Sequence, residues 1–168
     1  SPVAILLSAL IAAAGVIYSM ARQRAIAKSR ATLDVILKSE SDEHYTRIYK
    51  TFKSEREREG GLAVLLDAKT ESDRKCLREV LDFINHYELI AVSINKQILD
   101  EDFYKHWMRS SYVEHYDDSR ELIEAIREKA GSNTFFEYFE ALSSKWREEM
   151  EAEKLRNLRN SKKKIVFK

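Results

Sequence analysis

The sequence predicts an all-α protein in which an N-terminal transmembrane helix continues into a cytoplasmic helical bundle. Three observations favour this class. Residues 1–21 carry no charged side chain and are mostly aliphatic. The 168-residue chain has a single proline, Pro2, and only four glycines, so few residues interrupt a helix. The apolar residues of the remaining chain recur at helical spacing, and no alternating pattern of useful length indicates a strand.

Residues 1–21 are long enough to span a membrane. About 20 apolar residues, rising about 1.5 Å each, cover the roughly 30 Å hydrocarbon core of a bilayer. No acidic residue occurs before Asp34. Basic residues beside a span remain on the cytoplasmic side, so the bulk of the chain is expected in the cytoplasm. These residues are Arg22, Arg24, Lys28 and Arg30.

Two kinds of segment besides a membrane span share this apolar composition. A core helix in a large bundle is also apolar around its whole circumference. A cleaved signal peptide carries its charge before its apolar region, whereas the charges here follow it, and this order disfavours a signal peptide. We therefore expect one span, with its N-terminus outside the cytoplasm and the lipid bilayer as its first partner.

The chain divides into four predicted segments. Residues 1–21 form the span, 22–38 a basic extension of the same helix, 39–160 the bundle, and 161–168 a basic flexible tail. No glycine or proline interrupts the first helix between Gly15 and about Lys38.

Sequence signals for helix ends then predict five further helices. Asp42 lies in a run that caps a second helix, ended by Gly60 and Gly61. Thr70 with Asp73 caps a third, from about Glu71 to Lys96, which is apolar on most faces and so requires neighbours on several sides. Asp100 caps a fourth, and Gly131 ends a fifth. Thr134 with Glu137 forms a capping box for a sixth, from Phe135 to about Leu158.

Composition argues against several classes of function. The chain has 29 basic and 28 acidic residues, a balance that indicates solvated helix faces, so we expect no direct nucleic-acid binding. Cys76 is the single cysteine, which excludes a disulfide framework within the chain. No two histidines have the i, i+4 spacing of a zinc helix, and no glycine-rich phosphate loop occurs. We therefore expect no metal and no cofactor.

A series of short motifs follows the span in a characteristic order. They are the basic residues after the span, Ala31-Thr32-Leu33-Asp34, Ser39-Glu40-Ser41-Asp42-Glu43, Leu81-Asp82-Phe83 leading to Tyr87-Glu88-Leu89-Ile90-Ala91, and Ile98-Leu99-Asp100-Glu101 leading to Trp107 and Arg109-Ser110-Ser111. This order resembles a family of uncharacterised bacterial and prophage membrane proteins. It is also similar to the small membrane accessory proteins of type VI-B CRISPR systems.

The second resemblance has specific implications. It implies a domain of the HEPN kind, an oligomeric pore in the bacterial inner membrane that enhances anti-phage defence, and an RNA-guided RNase as functional partner. HEPN ribonucleases carry an arginine followed four to six residues later by a histidine, and Arg109 and His115 fit this spacing, with Ser110 in the polar slot. In those enzymes two copies of the motif meet across a dimer.

The chemistry of such a pair is intelligible. The histidine would move a proton to or from a ribose oxygen while the arginine stabilises charge on the phosphate. However, a chain this rich in arginine contains such a spacing about once by chance. Six residues also correspond to about 600° of rotation along a helix, which separates Arg109 from His115 unless the helix breaks. RNase activity is therefore an alternative, and we lean towards a protein that is not an enzyme.

Other conspicuous residues are expected in the bundle core or at an interface. Phe83, Tyr87, Glu88 and Trp107 are assigned to this group. His86, beside Tyr87 and Glu88, is expected to be a core histidine. The aromatic residues Tyr87, Trp107, Tyr112 and Tyr116 could stack on bases, but residues at helical spacing are more often core or interface anchors.

The span itself carries small residues at helical spacing, which allow neighbouring spans to pack closely. They are Ala4, Ser8, Ala12, Gly15 and Ser19. A single span cannot enclose a channel, so any pore requires a homo-oligomer, a ring with closed symmetry. Arg22 and Arg24 would surround its cytoplasmic mouth and favour anions.

Three hypotheses therefore follow from the sequence. The first is an oligomeric single-pass protein that permeabilises the membrane during phage infection. The second is a membrane-tethered interaction or exclusion module without a pore. The third is a HEPN-type RNase that uses Arg109 and His115.

Overall fold

The computed structural model describes the backbone of residues 2–166 and the side chains of residues 2–160 except residue 6. This part of the chain forms five α-helices and a short 3-10 helix, with no strand, which confirms the all-α prediction. The elements are α1 (Pro2–Ser41), α2 (Glu43–Arg56), the 3-10 helix (Leu62–Asp67), α3 (Glu71–Asn95), α4 (Glu101–Ala130) and α5 (Glu137–Val166).

Three helices begin at the caps predicted from the sequence. In each, a side-chain oxygen accepts a hydrogen bond from a backbone N–H of the first turn, as helix N-termini require. The pairs are Asp42 with His44 and Tyr45 (2.7 and 3.2 Å), Thr70 with Asp73 (3.1 Å), and Asp100 with Phe103 (3.2 Å).

Helix α1 is one unbroken helix with two different environments. The side chains of residues 2–27 are exposed, residue 6 excepted, and the chain begins to pack on itself at Lys28. Thr32 and Ile36, one turn apart, are then buried against the bundle. One helix of the described chain is thus long and apolar enough to cross a membrane, and its apolar half extends away from the bundle.

The attachment of α1 to the bundle is a short hydrogen-bonded link to the start of α4. The Ser29 hydroxyl donates to Asp100 Oδ2 at 2.9 Å, and the Asp100 N–H donates to Thr32 Oγ1 at 2.8 Å. Thr32 in turn donates to the carbonyl of Lys28 at 2.8 Å. The fully buried Thr32 hydroxyl therefore satisfies the half-buried N–H of Asp100 and aligns α1 with α4.

Several predicted boundaries differ from the structure. The predicted fourth and fifth helices are a single helix, α4, because no glycine or proline separates them before Gly131, which ends it with a left-handed φ of 63°. Helix α2 ends at Arg56, before Gly60. Helix α5 extends to Val166, past the predicted end at Leu158, and the side chains of the predicted tail, 161–168, lie outside the described residues.

The predicted capping box at Thr134 is wrong. Helix α5 begins at Glu137, and the Thr134 hydroxyl pairs with that of Ser132 at 2.9 Å. The first amides of α5 are instead capped by the carboxylate of Glu88 on α3. A side chain distant in sequence has therefore replaced the local cap.

The core of the bundle is built from aromatic side chains around α3. Phe83 of α3 packs on Phe52 of α2 at 4.3 Å between ring centroids. Tyr112 of α4 packs on Phe139 and Trp146 of α5, both at 4.9 Å. These rings are fully or almost fully buried, so aromatic contacts link all four helices within the core.

Candidate functional site

The predicted HEPN pair is placed on two different faces of α4. The guanidinium of Arg109 donates two hydrogen bonds to the carboxylate of Glu153 on α5, both at 2.8 Å. This pairing raises the pKa of Arg109 further above its ordinary value. Arg109 thus holds α5 against α4 through a bidentate ion pair at the surface.

His115 lies on the core side of the same helix. Its ring is buried and makes edge contacts with Phe83 and Tyr87, both at 5.2 Å between centroids, and with Phe52 at 5.6 Å. Nδ1 finds no hydrogen-bond partner among the described residues. Burial lowers the pKa of His115 to about 4, so the imidazole is neutral near pH 7.

These positions give one chain no composite Arg/His site. Arg109 and Ser110 line a surface hollow of about 450 Å³ together with Trp107 and Glu153, whereas His115 faces the aromatic core. Because α4 is continuous, the rotation of about 600° expected for six residues does separate the two side chains. Within one chain, a phosphate beside Arg109 would not meet the imidazole of His115.

The residues assigned to a core or interface separate into three environments. Phe83 and Tyr87 are fully buried core residues. Glu88 is half-buried, and its burial raises the pKa of its carboxyl group. Trp107 is 61% exposed and belongs to the surface. Because Tyr112 is also buried, these aromatic residues do not form a common surface for stacking on bases.

His86 is half-buried, whereas the sequence predicted a core histidine. Its Nε2 lies 3.4 Å from the hydroxyl of Ser39 on α1, and its ring packs on Tyr45 of α2 at 4.8 Å. Burial lowers its pKa to about 4. The imidazole therefore helps to join α1, α2 and α3 in its neutral form.

The small residues of the span all lie on exposed surface. They are Ala4, Ser8, Ala12, Gly15 and Ser19. A Cβ built at Gly15 meets no described atom within 4 Å. The Ser8 hydroxyl donates to the carbonyl of Ile5 at 2.9 Å, so its hydrogen bond is satisfied within the helix. Arg22 and Arg24 follow on exposed turns of the same helix.

A groove between α1, α2 and α3 is the feature that sequence reasoning missed. It has a volume of about 600 Å³ and passes between Val35 of α1, Ile48 of α2 and Leu89 of α3. Ile98, in the turn before α4, is exposed at its edge. The available signal was the position of Leu89, an apolar residue that departs from the buried stripe of α3. We call this feature the α1–α3 groove.

The structure offers no candidate metal centre in the part of the chain that it describes. Cys76 is half-buried on α3, and its burial raises the pKa of the thiol, which makes the thiolate less available. The features that remain are therefore an exposed apolar helix, a link between that helix and the bundle, and the groove.

Comparison with known proteins identifies the family. A family model described as a domain of unknown function (DUF4760) matches residues 2–146, which include α1 and most of the bundle. The match covers well over half of the chain, so the protein belongs to this family. No curated protein and no solved structure gave a match.

Proposed function

We propose that this member of the DUF4760 family is a single-pass protein of the bacterial inner membrane, with a HEPN-like bundle in the cytoplasm. Its copies assemble into a ring that permeabilises the membrane and thereby enhances CRISPR-linked anti-phage defence. One observation supports this proposal most directly: α1 continues without a break from an exposed apolar segment into the bundle.

This continuity places limits on where the bundle lies. Eight residues separate Ala21, the last of the uncharged run, from Ser29, which bonds to Asp100. Eight residues of α-helix rise about 12 Å. An upright α1 would therefore hold the start of α4 about 12 Å below the hydrocarbon, near the lipid headgroups. A change in the bundle would be transmitted to the span through a rigid helix rather than a flexible linker.

The assembly into a ring is supported by the surface of the span. Its small side chains and Gly15 are uncovered within one chain, and small residues permit close approach of helices in lipid. Arg22 and Arg24 would form a basic ring at the cytoplasmic mouth, which favours anions. The link to defence and to an RNA-guided RNase rests on the sequence resemblance.

A second candidate function is a membrane-tethered interaction module without a pore. The α1–α3 groove favours it, because an open apolar groove of about 600 Å³ suits a helix or peptide of a partner. In this alternative the span only anchors the bundle. The RNase hypothesis receives no comparable support, because Arg109 is paired with Glu153 and His115 is buried.

The proposal is tested by the mass of the full-length protein in detergent, compared with a chain beginning at Arg22. Six or more copies, lost or reduced without the span, are expected, followed by ion flux when the full chain is placed in liposomes. A monomer or dimer would contradict the ring and favour the tethered module. If the protein cleaves RNA and Arg109→Ala abolishes the cleavage, the RNase hypothesis would instead be supported.

A further inference from the structure

The C-terminal part of α5 runs along the surface of the bundle, where Glu153 pairs with Arg109 of α4. All side chains of residues 151–160, which we call the α5 extension, are exposed. It includes two large apolar residues, Leu155 and Leu158, which are 57% and 51% exposed. No acidic residue follows Glu153, whereas seven basic residues do. They are Lys154, Arg156, Arg159, Lys162, Lys163, Lys164 and Lys168.

The direction of these two leucines excludes packing on the same chain's core. Trp146 marks the core-facing side of α5, since it is fully buried. At 100° per residue, Leu158 points about 120° and Leu155 about 180° away from that direction. The extension also lies beyond residues 2–146, which the family model matches. A contiguous apolar surface on an exposed helix is a common feature of interaction sites.

The α1–α3 groove has the complementary properties. Its rim carries two large apolar residues, Leu89 and Ile98, which are 64% and 58% exposed. Asp42 and Asp82 line it, together with Lys38, His44 and His86. With histidine counted as neutral, the groove side chains have a formal charge of −1 and residues 151–160 a formal charge of +1, so the two apolar surfaces carry net charges of opposite sign.

We propose that the α5 extension of one copy docks in the α1–α3 groove of a second copy, with Leu155 and Leu158 against Leu89 and Ile98. Leucines at i and i+3 are the anchors with which a helix enters an apolar groove. Lys154, Arg156 and Arg159 of the extension then lie near Asp42 and Asp82 of the groove, and this charge complementarity favours one orientation of the docked helix.

A contact between two different surfaces of neighbouring copies is compatible with a closed ring. Two different surfaces of each copy are joined, so the interface is heterologous, and a heterologous interface closes into a ring when the rotation between copies allows it. The inference deepens the function proposed above and rests on it, because it assigns an interface to the same assembly. It uses the cytoplasmic bundle and does not depend on packing between spans.

The test is crosslinking between two differently tagged full-length copies, co-expressed in a Cys76→Ser background and treated in membranes with a short bismaleimide. One copy carries Leu158→Cys and the other Leu89→Cys. A crosslinked dimer that contains both tags is expected. Leu37→Cys replaces Leu89→Cys in the control, because Leu37 is as exposed but lies about 200° from the groove residue Val35 on α1.

A second variant tests the docking with a crosslinking site at a neighbouring position of the extension. In this variant the extension carries Arg159→Cys as its crosslinking site, and the second copy again carries Leu89→Cys. Adding Leu155→Asp and Leu158→Asp changes only exposed positions, so the bundle keeps its fold. The crosslink between residues 159 and 89 should then be lost. Without any mixed dimer, or with equal yields from residues 37 and 89, the docking proposal is wrong. If the mass of the full chain still shows a ring, the proposed function is retained although the docking proposal is wrong. If the extension binds anionic vesicles instead, its partner is the lipid surface and not a second copy.

Discussion

The carboxylate of Glu88 accepts a hydrogen bond from the backbone N–H of Phe139 at 2.7 Å, so a side chain of α3 caps the first turn of α5. The N–H of Tyr138 donates to the same carboxylate at 3.4 Å. A negative charge at this end is also favoured by the helix dipole. The contact fixes where α5 starts and how it lies against α3.

Replacing Glu88 is expected to loosen α5. In Glu88→Ala the two amides lose their acceptor, and the free energy of unfolding should fall by about 1 to 2 kcal/mol, the usual cost of a lost cap. Glu88→Gln retains a carbonyl oxygen and should lose less. Denaturant unfolding of the full chain in detergent, followed by circular dichroism, measures both. Equal losses in the two variants would contradict capping by the side-chain oxygen.

The buried histidines predict a loss of stability in mild acid. His86 and His115 have pKa values lowered from 6.5 to about 4 by burial. The contribution of each neutral ring to the free energy of unfolding is therefore fully present above pH 6.5. This contribution disappears as the pH falls towards 4. A shift of about 2.5 pKa units corresponds to about 3 kcal/mol for each histidine. Melting temperatures between pH 7.5 and 4.5 should decrease accordingly.

Substitution of one histidine separates this effect from that of the carboxylates. His115→Leu keeps an apolar side chain in the aromatic site and should reduce the fall in stability by about half. Ser110→Ala, at an exposed position of α4 without a titratable side chain, should leave the pH profile unchanged. An unaltered profile in His115→Leu would show that protonation of His115 does not drive the transition.

The link between the span and the bundle depends on Thr32. Thr32→Val keeps the shape of the side chain but leaves the half-buried N–H of Asp100 without its acceptor, which lowers the free energy of unfolding by about 1 kcal/mol. Limited proteolysis should then cut α1 near Ser29 faster than in the unaltered chain. Ser41→Ala is the matched control, because the Ser41 hydroxyl bonds only within α1. Similar cleavage rates in both would refute the role of the link.

Packing between spans can be tested at Gly15. A Cβ at this exposed position meets no described atom of the same chain within 4 Å, so Gly15→Ile should leave the monomer unchanged. If spans pack on this face, the larger residue should reduce the mass of the assembly in detergent. Ala13→Ile changes a position about 200° around α1 and serves as the control. An equal effect of both substitutions would argue against a specific packing face.

The elements that depend on local chemistry were predictable from the sequence. Asp42, Thr70 and Asp100 cap helices because their side chains reach amides two or three residues away, and this geometry is contained in a few consecutive residues. The uncharged N-terminal run and its basic flank likewise specify a helix able to cross a membrane.

Contacts between distant segments were not predictable in this way. Glu88 displaced the capping box at Thr134 because α3 brings a carboxylate to the start of α5, 51 residues later in the chain. His115 and Arg109, six residues apart, acquired different surroundings because α5 covers one face of α4 while α2 and α3 cover another. The α1–α3 groove is lined by residues of three helices, so it could not be predicted from any one segment of the sequence.

The sequence by itself therefore determined the all-α class, the caps at Asp42, Thr70 and Asp100, and a helix apolar enough to cross a membrane, since each depends on interactions within one or two turns. Only the tertiary structure decided which polar groups are buried, which apolar residues remain uncovered and where the ends of helices meet. Burial depends on the packing of several helices at once, and it is burial that converts His115 from a candidate catalytic group into a core residue.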